Sequence, residues 1–269
     1  MAWALPSSWP VAAIADLARG LPSPMVDPAW CRDLLAGDGA AAACIPTAPN
    51  TSNREPTTAQ VDDMVRRSFI IAALKRNMSL PGLRAASLWV ARTRALALPP
   101  GQDAVLTVIR NFRSNAALRL PAGYYGNACA PVQVVALAGA LTGGTLDDAV
   151  ELVRQAKAAA GRVRSVADLL RLHGTRPLPV AEMFRVSELR HIGFHRLDFG
   201  WGKPVYGGPT QVMFWETFLV SVKSSSPSGE DEDDDEVAVP VALPRPAMDR
   251  FVQEMNKLLK AFPLVIIIK

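Results

Sequence analysis

Cysteine, histidine and long apolar runs are all scarce in this chain of 269 residues, and each shortage excludes a class of protein. The cysteines, Cys31, Cys44 and Cys129, are far apart and form no Cys-x-x-Cys pair, so neither a disulfide framework nor a thiolate metal site is predicted. No apolar run approaches the roughly 20 residues that a membrane helix needs, and the first residues lack the basic region of a signal peptide. We therefore expect a cytoplasmic protein without a membrane partner.

The charge balance is mild, with a formal net charge of +4 and 20% charged residues. The basic residues are scattered, and the short runs Arg66-Arg67 and Lys75-Arg76 are typical of solvated faces, or at most of help in holding an anionic small ligand. No nucleic-acid partner is expected from such a pattern. The 49% of apolar residues predicts a globular protein with a sizeable core, in one large domain or two modest ones.

The common catalytic motifs are missing. None of the histidines, His173, His191 and His195, is followed by aspartate four residues later. The chain contains no Gly-x-Ser-x-Gly elbow, no dinucleotide fingerprint and no phosphate loop. His191 and His195 have the i, i+4 spacing of a metal pair, but Gly193 lies between them and no glutamate follows His191. We therefore favour a surface or partly buried pair over a metal site.

Hydrophobic spacing predicts a chain of mixed helices and strands. Two strands, Ala104–Asn111 and Val132–Leu141, are apolar on both faces, which predicts central positions in a sheet. Thr145 and Ser165 are expected to cap the helices that follow them. The predicted helices are Trp9–Arg19, Ile70–Asn77, Leu83–Leu98, Leu146–Ala160, Val166–His173 and Pro246–Phe262, and the further strands are Val61–Phe69, Val212–Lys223 and Val237–Leu243.

Composition divides the chain into three parts. Residues 21–60 are rich in Pro, Ala, Ser and Thr, which predicts an extended connector with one short helix at Pro28–Leu35. The helix within residues 1–20 has nothing before it to pack on, so we expect upstream sequence to be missing. Residues 61–269 form the main domain. Within it, the acidic run Glu230–Glu236 predicts a disordered loop over residues 224–236, since it lacks the spaced ligands of a calcium loop.

The stretch Leu197–Pro204 brings an acid, two aromatic rings, two glycines and a proline together. Gly200 and Gly202 permit backbone angles that a side chain would forbid, and Pro204 stiffens the exit. This chemistry predicts a fixed turn with a structural role at a domain junction.

Leu197–Pro204 closely resembles the Asp-Phe-Gly-Trp-Gly signature of the plant BAHD acyl-CoA-dependent acyltransferases. Four earlier segments resemble the same family in the same order, and the local sequence is most similar to its benzyl alcohol O-benzoyltransferase-like branch. These segments are Ala15–Arg32, Leu88–Leu96, Asn111-x-Arg113 and Tyr124-Tyr125-Gly126-Asn127-Ala128.

The resemblance implies an α/β fold, in a two-layer α+β form, of the chloramphenicol-acetyltransferase type, with a mixed sheet and flanking helices. It implies transfer of an acyl group such as benzoyl or acetyl from acyl-CoA, a co-substrate and not a bound cofactor, to an alcohol or amine. The family's general base is the histidine of a His-x-x-x-Asp motif, which suits proton abstraction from a hydroxyl. That motif is absent here, so no catalytic residue is assigned. Residues 1–20 then correspond to a remnant helix of the missing amino-terminal domain, residues 21–60 to the interdomain crossover loop and residues 61–269 to the carboxy-terminal acyltransferase domain.

Two interpretations follow from this departure. The chain is either the carboxy-terminal portion of an acyltransferase, from a truncated gene or a pseudogene, or a catalytically inactive domain that binds a ligand or a partner. In both, we expect self-association through the exposed interdomain face.

The resemblance transfers structural positions only. We expect Asp198 to form a buried ion pair with Arg113, because a buried carboxylate needs a cation, and Asn127 to hold a turn. Trp201 and Lys203 are suggested neighbours of a ligand tunnel; the residues that hold coenzyme A are not identified. The structural set is Asp198, Phe199, Gly200, Trp201, Gly202, Arg113 and Asn127.

Overall fold

The computed structural model describes residues 8–29, 71–72, 82–165, 168, 183–194, 197–202, 204, 206–209, 212–222, 236–258 and 266–267. Five helices lie in these ranges: α1 (Ser8–Ala18), α2 (Leu83–Leu96), α3 (Ala138–Gly143), α4 (Leu146–Ala160) and α5 (Arg245–Leu258). The strands are β1 (Ile71–Ala72), β2 (Asp103–Asn111), β3 (Cys129–Leu137), β4 (Met183–Glu188), β5 (Glu216–Val222), β6 (Glu236–Ala238) and β7 (Ile266–Ile267).

A mixed five-stranded sheet organises the structure, with the strand order β3-β2-β4-β5-β6. The two outer pairs, β3 with β2 and β5 with β6, are antiparallel, whereas β2, β4 and β5 run parallel to one another. β1 and β7 form a separate two-stranded antiparallel sheet.

The helices α2, α4 and α5 cover one face of this sheet, with α2 between the other two. Alternate residues of the strands, such as Leu106, Val134 and Phe184, point into this layer and form one apolar core with the helices. The predicted fold class, a mixed sheet with flanking helices, is confirmed. None of the helices in the described ranges is both long and apolar enough to cross a membrane.

Helix α4 begins where the sequence predicts. The Thr145 hydroxyl accepts the Asp148 N–H at 3.2 Å, and the Asp148 carboxylate accepts the Thr145 N–H at 2.9 Å. This capping box satisfies two backbone donors that a helix end leaves free. Because hydrogen bonds from Thr145 stabilise the ionised carboxyl group, the pKa of Asp148 lies below its usual value. Ser165 makes the matching bond to the Asp168 N–H at 3.1 Å.

Several other sequence predictions need correction. Ile71 and Ala72 lie in strand β1 and not in the helix predicted over Ile70–Asn77. The run predicted as one strand, Val132–Leu141, divides into the end of β3 and helix α3. β3 lies at the edge of the sheet and not at its centre. Strand β4 is not predicted from the sequence, because it has only six residues and Arg185, Ser187 and Glu188 interrupt its apolar pattern.

Other predictions lie largely or wholly outside the described residues. These are the strand Val61–Phe69, the short helix Pro28–Leu35, most of the helix Val166–His173 and most of the acidic loop 224–236. The strands on either side of that loop do pair antiparallel, as β5 and β6.

Candidate functional site

The loop that carries the Asp-Phe-Gly-Trp-Gly sequence is held by its own aspartate. Asp198 Oδ1 accepts the N–H of Gly200 at 2.8 Å and the N–H of Gly202 at 3.3 Å. Gly200 and Gly202 have φ angles of +94° and +108°, in a region that favours glycine. The carboxylate therefore acts as the acceptor that closes a turn.

The aromatic rings of this loop stack on each other, and the outer one, Trp201, faces solvent. Phe199 and Trp201 have ring centroids 6.4 Å apart and planes 16° apart, and Trp201 is 88% exposed. The loop also lies beside the end of α1, because a Cβ on Gly200 would be 3.8 Å from Cγ of Arg19. Lys203, the other suggested neighbour of a ligand tunnel, lies outside the described residues.

Arg113 clamps a second turn, at residues 124–126. Its guanidinium donates to the Tyr124 carbonyl and, at 2.8 Å, to the Gly126 carbonyl, and it lies 5.5 Å from the centre of the Tyr124 ring. Partial burial lowers the pKa of Arg113 below its usual value. The side chain of Asn111 accepts the Arg113 N–H at 2.9 Å, which aligns the clamp with the end of β2.

The predicted ion pair between Asp198 and Arg113 is not formed. Although both residues are described, the salt bridges of the described residues do not include this pair. The physical reason is that each charged group takes its partners from the backbone, the acid from N–H groups and the guanidinium from carbonyls. The penalty of leaving a charge unpaired is thereby avoided without a counter-ion.

Of the neighbours Gly126 and Asn127, only Gly126 has a contact that this turn requires. A Cβ on Gly126 would collide with the Tyr124 hydroxyl, so only glycine lets this ring fold back over the turn. Asn127 is exposed, and its side chain makes no hydrogen bond within the described residues. A turn-holding role for Asn127 therefore has no observed contact to support it.

The segment 21–29, which sequence predicts to be part of a crossover, docks on this turn. Ala29 donates its N–H to the Gly123 carbonyl at 3.0 Å, and the Tyr125 N–H returns a bond to the Ala29 carbonyl at 3.1 Å. The Tyr125 hydroxyl donates to the Val26 carbonyl at 3.0 Å. Sequence analysis did not single out Gly123, although a glycine directly before two tyrosines is a signal of close backbone approach.

A buried carboxylate fixes the start of the same segment. Asp16, which is 4% exposed, accepts a bond from Arg19 at 2.6 Å and one from the Met25 N–H at 2.9 Å. The end of α1, the segment after it and the turn at 124–126 are thus joined by hydrogen bonds.

A groove of about 400 Å³ lies elsewhere, between β3, α3 and the start of α4. Its walls are apolar except for Thr145, Asp148 and Glu151. Since both charged residues are acidic, this groove is unsuited to the phosphates of coenzyme A. The described residues contain no cluster of three metal-ligating side chains.

The histidines do not add a catalytic group to the described part of the chain. His173 and His195 lie outside the described residues, and only the backbone of His191 is described, in a short 3-10 turn.

Comparisons with known proteins agree with this architecture. A solved structure of F. graminearum TRI101 complexed with ethyl coenzyme A matches with a TM-score of 0.51 at 14% identity, covering 72% of this chain and 48% of that one. Vinorine synthase matches with a TM-score of 0.50 at 18% identity, covering 73% and 47%. The fold is therefore that of the chloramphenicol-acetyltransferase-like acyltransferases.

The sequence comparisons narrow this class to a family. Residues 8–258 match the Transferase family. The chain is 34% identical to benzyl alcohol O-benzoyltransferase of Petunia hybrida over 272 residues, and 35% identical to the Nicotiana tabacum enzyme of the same name over 269. Alcohol acyltransferase 16 of Actinidia chinensis var. chinensis is 34% identical over 262 residues. The chain belongs to this family, the BAHD acyltransferases, whose members use acyl-CoA as co-substrate.

The chain spans little more than half the length of the relatives it matches. The alignments with the Petunia and Nicotiana proteins each include 92% of this chain but only 57% of the relative. The alignment with the Actinidia protein includes 91% and 56%.

Proposed function

We propose that this chain supplies the carboxy-terminal half of a BAHD acyltransferase, which transfers an acyl group such as benzoyl or acetyl from acyl-CoA to an alcohol or amine. The observation that carries the proposal is the family match over residues 8–258, with 34–35% identity to benzyl alcohol O-benzoyltransferases. Those relatives are named for the transfer of benzoyl to benzyl alcohol, which makes this donor and acceptor the first pair to test.

The general base is expected to come from a sequence that this chain does not include. The chain has no His-x-x-x-Asp motif, and attack of a hydroxyl on a thioester needs a base within hydrogen-bond reach. The only charged residues in the wall of the described groove, Asp148 and Glu151, are acidic, which supports the view that the coenzyme A phosphates bind elsewhere. In this proposal, residues 1–20 are a remnant helix of the amino-terminal domain of a two-domain enzyme, and residues 21–60 are its interdomain crossover loop.

A chimera tests whether this chain needs an amino-terminal half that supplies the general base. The purified chain is incubated with benzoyl-CoA and benzyl alcohol, and released thiol is measured with a chromogenic disulfide. We expect no release from the chain alone. We expect release when the chain is fused behind the amino-terminal half of the Petunia relative. The matched control is the same chimera with the histidine of the relative's motif replaced by alanine.

The outcomes separate the two interpretations. Thiol release by the chain alone would place a base within its own sequence. A folded but inactive chimera would favour the alternative, an inactive BAHD-like domain that acts as a binding protein. An active chimera whose alanine control is silent would establish the proposed role.

Location and self-association complete the proposal. We place the chain in the cytoplasm, which fractionation of cells that express it would check. The apolar side chains Ile14, Leu17 and Met25 are 59%, 51% and 75% exposed, and they offer a surface where another half of the fold could pack. Light scattering of the isolated chain tests whether this surface also causes self-association.

A further inference from the structure

A cluster of charged side chains lies where the helix layer meets the carboxyl ends of the parallel strands β2 and β4. Arg110 is the last residue but one of β2, and Glu188 is the last residue of β4. The register that pairs Val108 with Val186, extended by two residues, places Arg110 and Glu188 side by side on the face that carries the helices. Arg190 follows β4 and binds Glu188 through both carboxylate oxygens, at 2.6 and 3.0 Å. The apolar layer therefore ends in a charged group.

Two helices bring further cations to this cluster. Helix α2 begins beside α4, because a Cβ on Gly82 would lie 3.1 Å from Cγ1 of Val153. Lys157 lies one turn beyond Val153 on the same face of α4, and its carbonyl accepts a hydrogen bond from Arg110. Arg84 lies in the first turn of α2. The start of α2 and the last turn of α4 therefore meet the strand ends in one place.

The electrostatic effects among these groups agree with this placement. Burial lowers the pKa of Arg84, the charge of Arg190 lowers it further, and the charge of Glu188 acts in the opposite direction. Burial also lowers the pKa of Lys157, where Glu188 again opposes the shift and Arg110 adds to it. Arg84 and Lys157 therefore both lie near Glu188, although the salt bridges of the described residues include neither of them.

Arg84 is a buried cation that has no counter-charge of its own in the described part of the chain. It is 8% exposed, and its Nε has no hydrogen-bond partner among these residues. Glu188 does not fill this role, since Arg190 already binds both of its oxygens. Arg92, two turns further along α2, is also buried, but it donates to the Phe214 carbonyl at 3.3 Å. Because a buried charge without a partner is costly, Arg84 lacks a group that these residues do not supply.

The start of α2 offers backbone donors at the same place. Its N-cap residue is Gly82, which has no side chain to accept the N–H groups of the first turn. These N–H groups and the positive end of the helix dipole both favour an anion. Helix α4 differs, because the side chains of Thr145 and Asp148 cap its start. Arg84 and Lys157 thus lie together with an uncapped helix start.

A phosphate dianion suits these groups better than a carboxylate does. The guanidinium of Arg84 and the ammonium of Lys157 can each donate to a different phosphate oxygen, and a third oxygen remains for the N–H groups of α2. A dianion also balances both cations, whereas a carboxylate balances only one of them.

We propose that Arg84, Lys157 and the start of α2 bind a phosphate dianion, which is either free phosphate or a phosphomonoester such as the 3′-phosphate of coenzyme A. Arg110 and Arg190 add positive charge around this site while they keep their own partners in the protein. The inference does not depend on the proposed acyl transfer, because binding a phosphate requires no general base. Its test measures binding alone, so either proposal can fail without the other.

Calorimetric titration of the full chain with inorganic phosphate and with adenosine 3′,5′-bisphosphate measures this binding, at an ionic strength held constant with sodium chloride. We expect Arg84→Leu and Lys157→Ala each to weaken the binding of both ligands about tenfold or more, since each removes a charge-assisted hydrogen bond. Arg154→Gln is the matched control, because it removes a cation from the same helix as Lys157. The Arg154 side chain is 62% exposed and is paired with Glu151, so this variant should bind like the wild type.

Thermal unfolding followed by circular dichroism separates this role from a purely structural one. Without phosphate, Arg84→Leu should have a Tm equal to or above that of the wild type, because it removes a buried charge without a partner. With saturating bisphosphate, the Tm of the wild type should rise more than that of Arg84→Leu. The proposal is wrong if neither ligand binds the wild type, or if folded Arg84→Leu and Lys157→Ala bind both ligands as tightly as the wild type does.

Two further ligands identify the source of the phosphate. Coenzyme A carries a 3′-phosphate, and dephospho-coenzyme A does not. Tighter binding of coenzyme A to the wild type, with no such difference in Lys157→Ala, would support the proposal with the nucleotide as the source. Equal binding of the two, together with inorganic phosphate binding that Lys157→Ala weakens, would support it with free phosphate as the source.

Discussion

Replacing Gly123 by alanine should detach the segment 21–29 from the body of the domain. Gly123 has a φ angle of +78°, and an added Cβ would lie 2.6 Å from the Asp27 carbonyl oxygen and 3.2 Å from Val26 Cγ1. The nearest atom belongs to the backbone, so the crossing segment must move. Gly20 is a matched control, because its φ angle is +86° and no atom lies within 4 Å of its added Cβ.

The magnitude follows from two separate costs. A left-handed alanine costs roughly 1–2 kcal/mol at either position. Moving the segment also threatens the hydrogen bonds that Ala29, Tyr125 and Val26 make across the contact. At about 1 kcal/mol for each bond, Gly123→Ala should lower the free energy of unfolding by about 2–5 kcal/mol in total. Gly20→Ala should lower it by about 1–2 kcal/mol only.

Urea denaturation monitored by circular dichroism measures the two free energies of unfolding. Limited trypsin digestion provides a local readout, since cleavage after Arg19 should be faster in Gly123→Ala than in Gly20→Ala. If both variants lose the same stability and are cleaved at the same rate, the contact between Gly123 and Asp27 does not hold the segment, and the reasoning fails.

Three further substitutions test buried and capping hydroxyls by the same denaturation assay. Thr107 is 2% exposed with a hydroxyl that has no partner among the described residues, so Thr107→Val should leave the free energy of unfolding unchanged or raise it. Thr217 donates to the Pro240 carbonyl at 2.6 Å, so Thr217→Val should lower it by about 1–3 kcal/mol; equal losses would contradict this contrast. Thr145→Ala should cost about 1 kcal/mol at neutral pH. Hydrogen bonds from Thr145 lower the pKa of Asp148 from 3.8. Part of the stability lost in Thr145→Ala should therefore no longer be lost as the pH falls from 3.8 through the lowered pKa. A loss of stability that does not change over this range would contradict the role of Asp148.

Elements with a strong local signal could be predicted from the sequence. The apolar spacing predicts helix α2 at Leu83–Leu98, and the helix spans Leu83–Leu96; the cap of α4 is made by the predicted Thr145. Helix α5, predicted at Pro246–Phe262, begins at Arg245, and its described part ends at Leu258. In these cases the apolar period, and for α4 also the capping residue, belongs to the segment itself, so no tertiary information is needed.

Pairing partners could not be predicted in the same way. The apolar residues on both faces of β3 suggested a central strand, yet nothing in that pattern fixes which strands lie beside it. β4 was missed, since it is short and Arg185 interrupts its apolar residues. Arg185 is tolerated because it lies opposite Glu216 of β5, with a head-group distance of 3.8 Å. A parallel neighbour of this kind is set by the whole sheet and leaves no local signal.

The family motifs that contain Asp198 and Arg113 build turns, and this limits what these two residues can contribute to chemistry. Asp198 Oδ1 accepts hydrogen bonds from two backbone N–H groups, and the guanidinium of Arg113 donates to two backbone carbonyls. Groups committed in this way are poor candidates for proton transfer or for binding a substrate, because taking their bonds would leave backbone groups unsatisfied. A loss of acyl transfer in an Asp198 or Arg113 variant of the chimera would therefore be expected together with a lower free energy of unfolding. The reacting groups must be sought among residues that do not hold these turns.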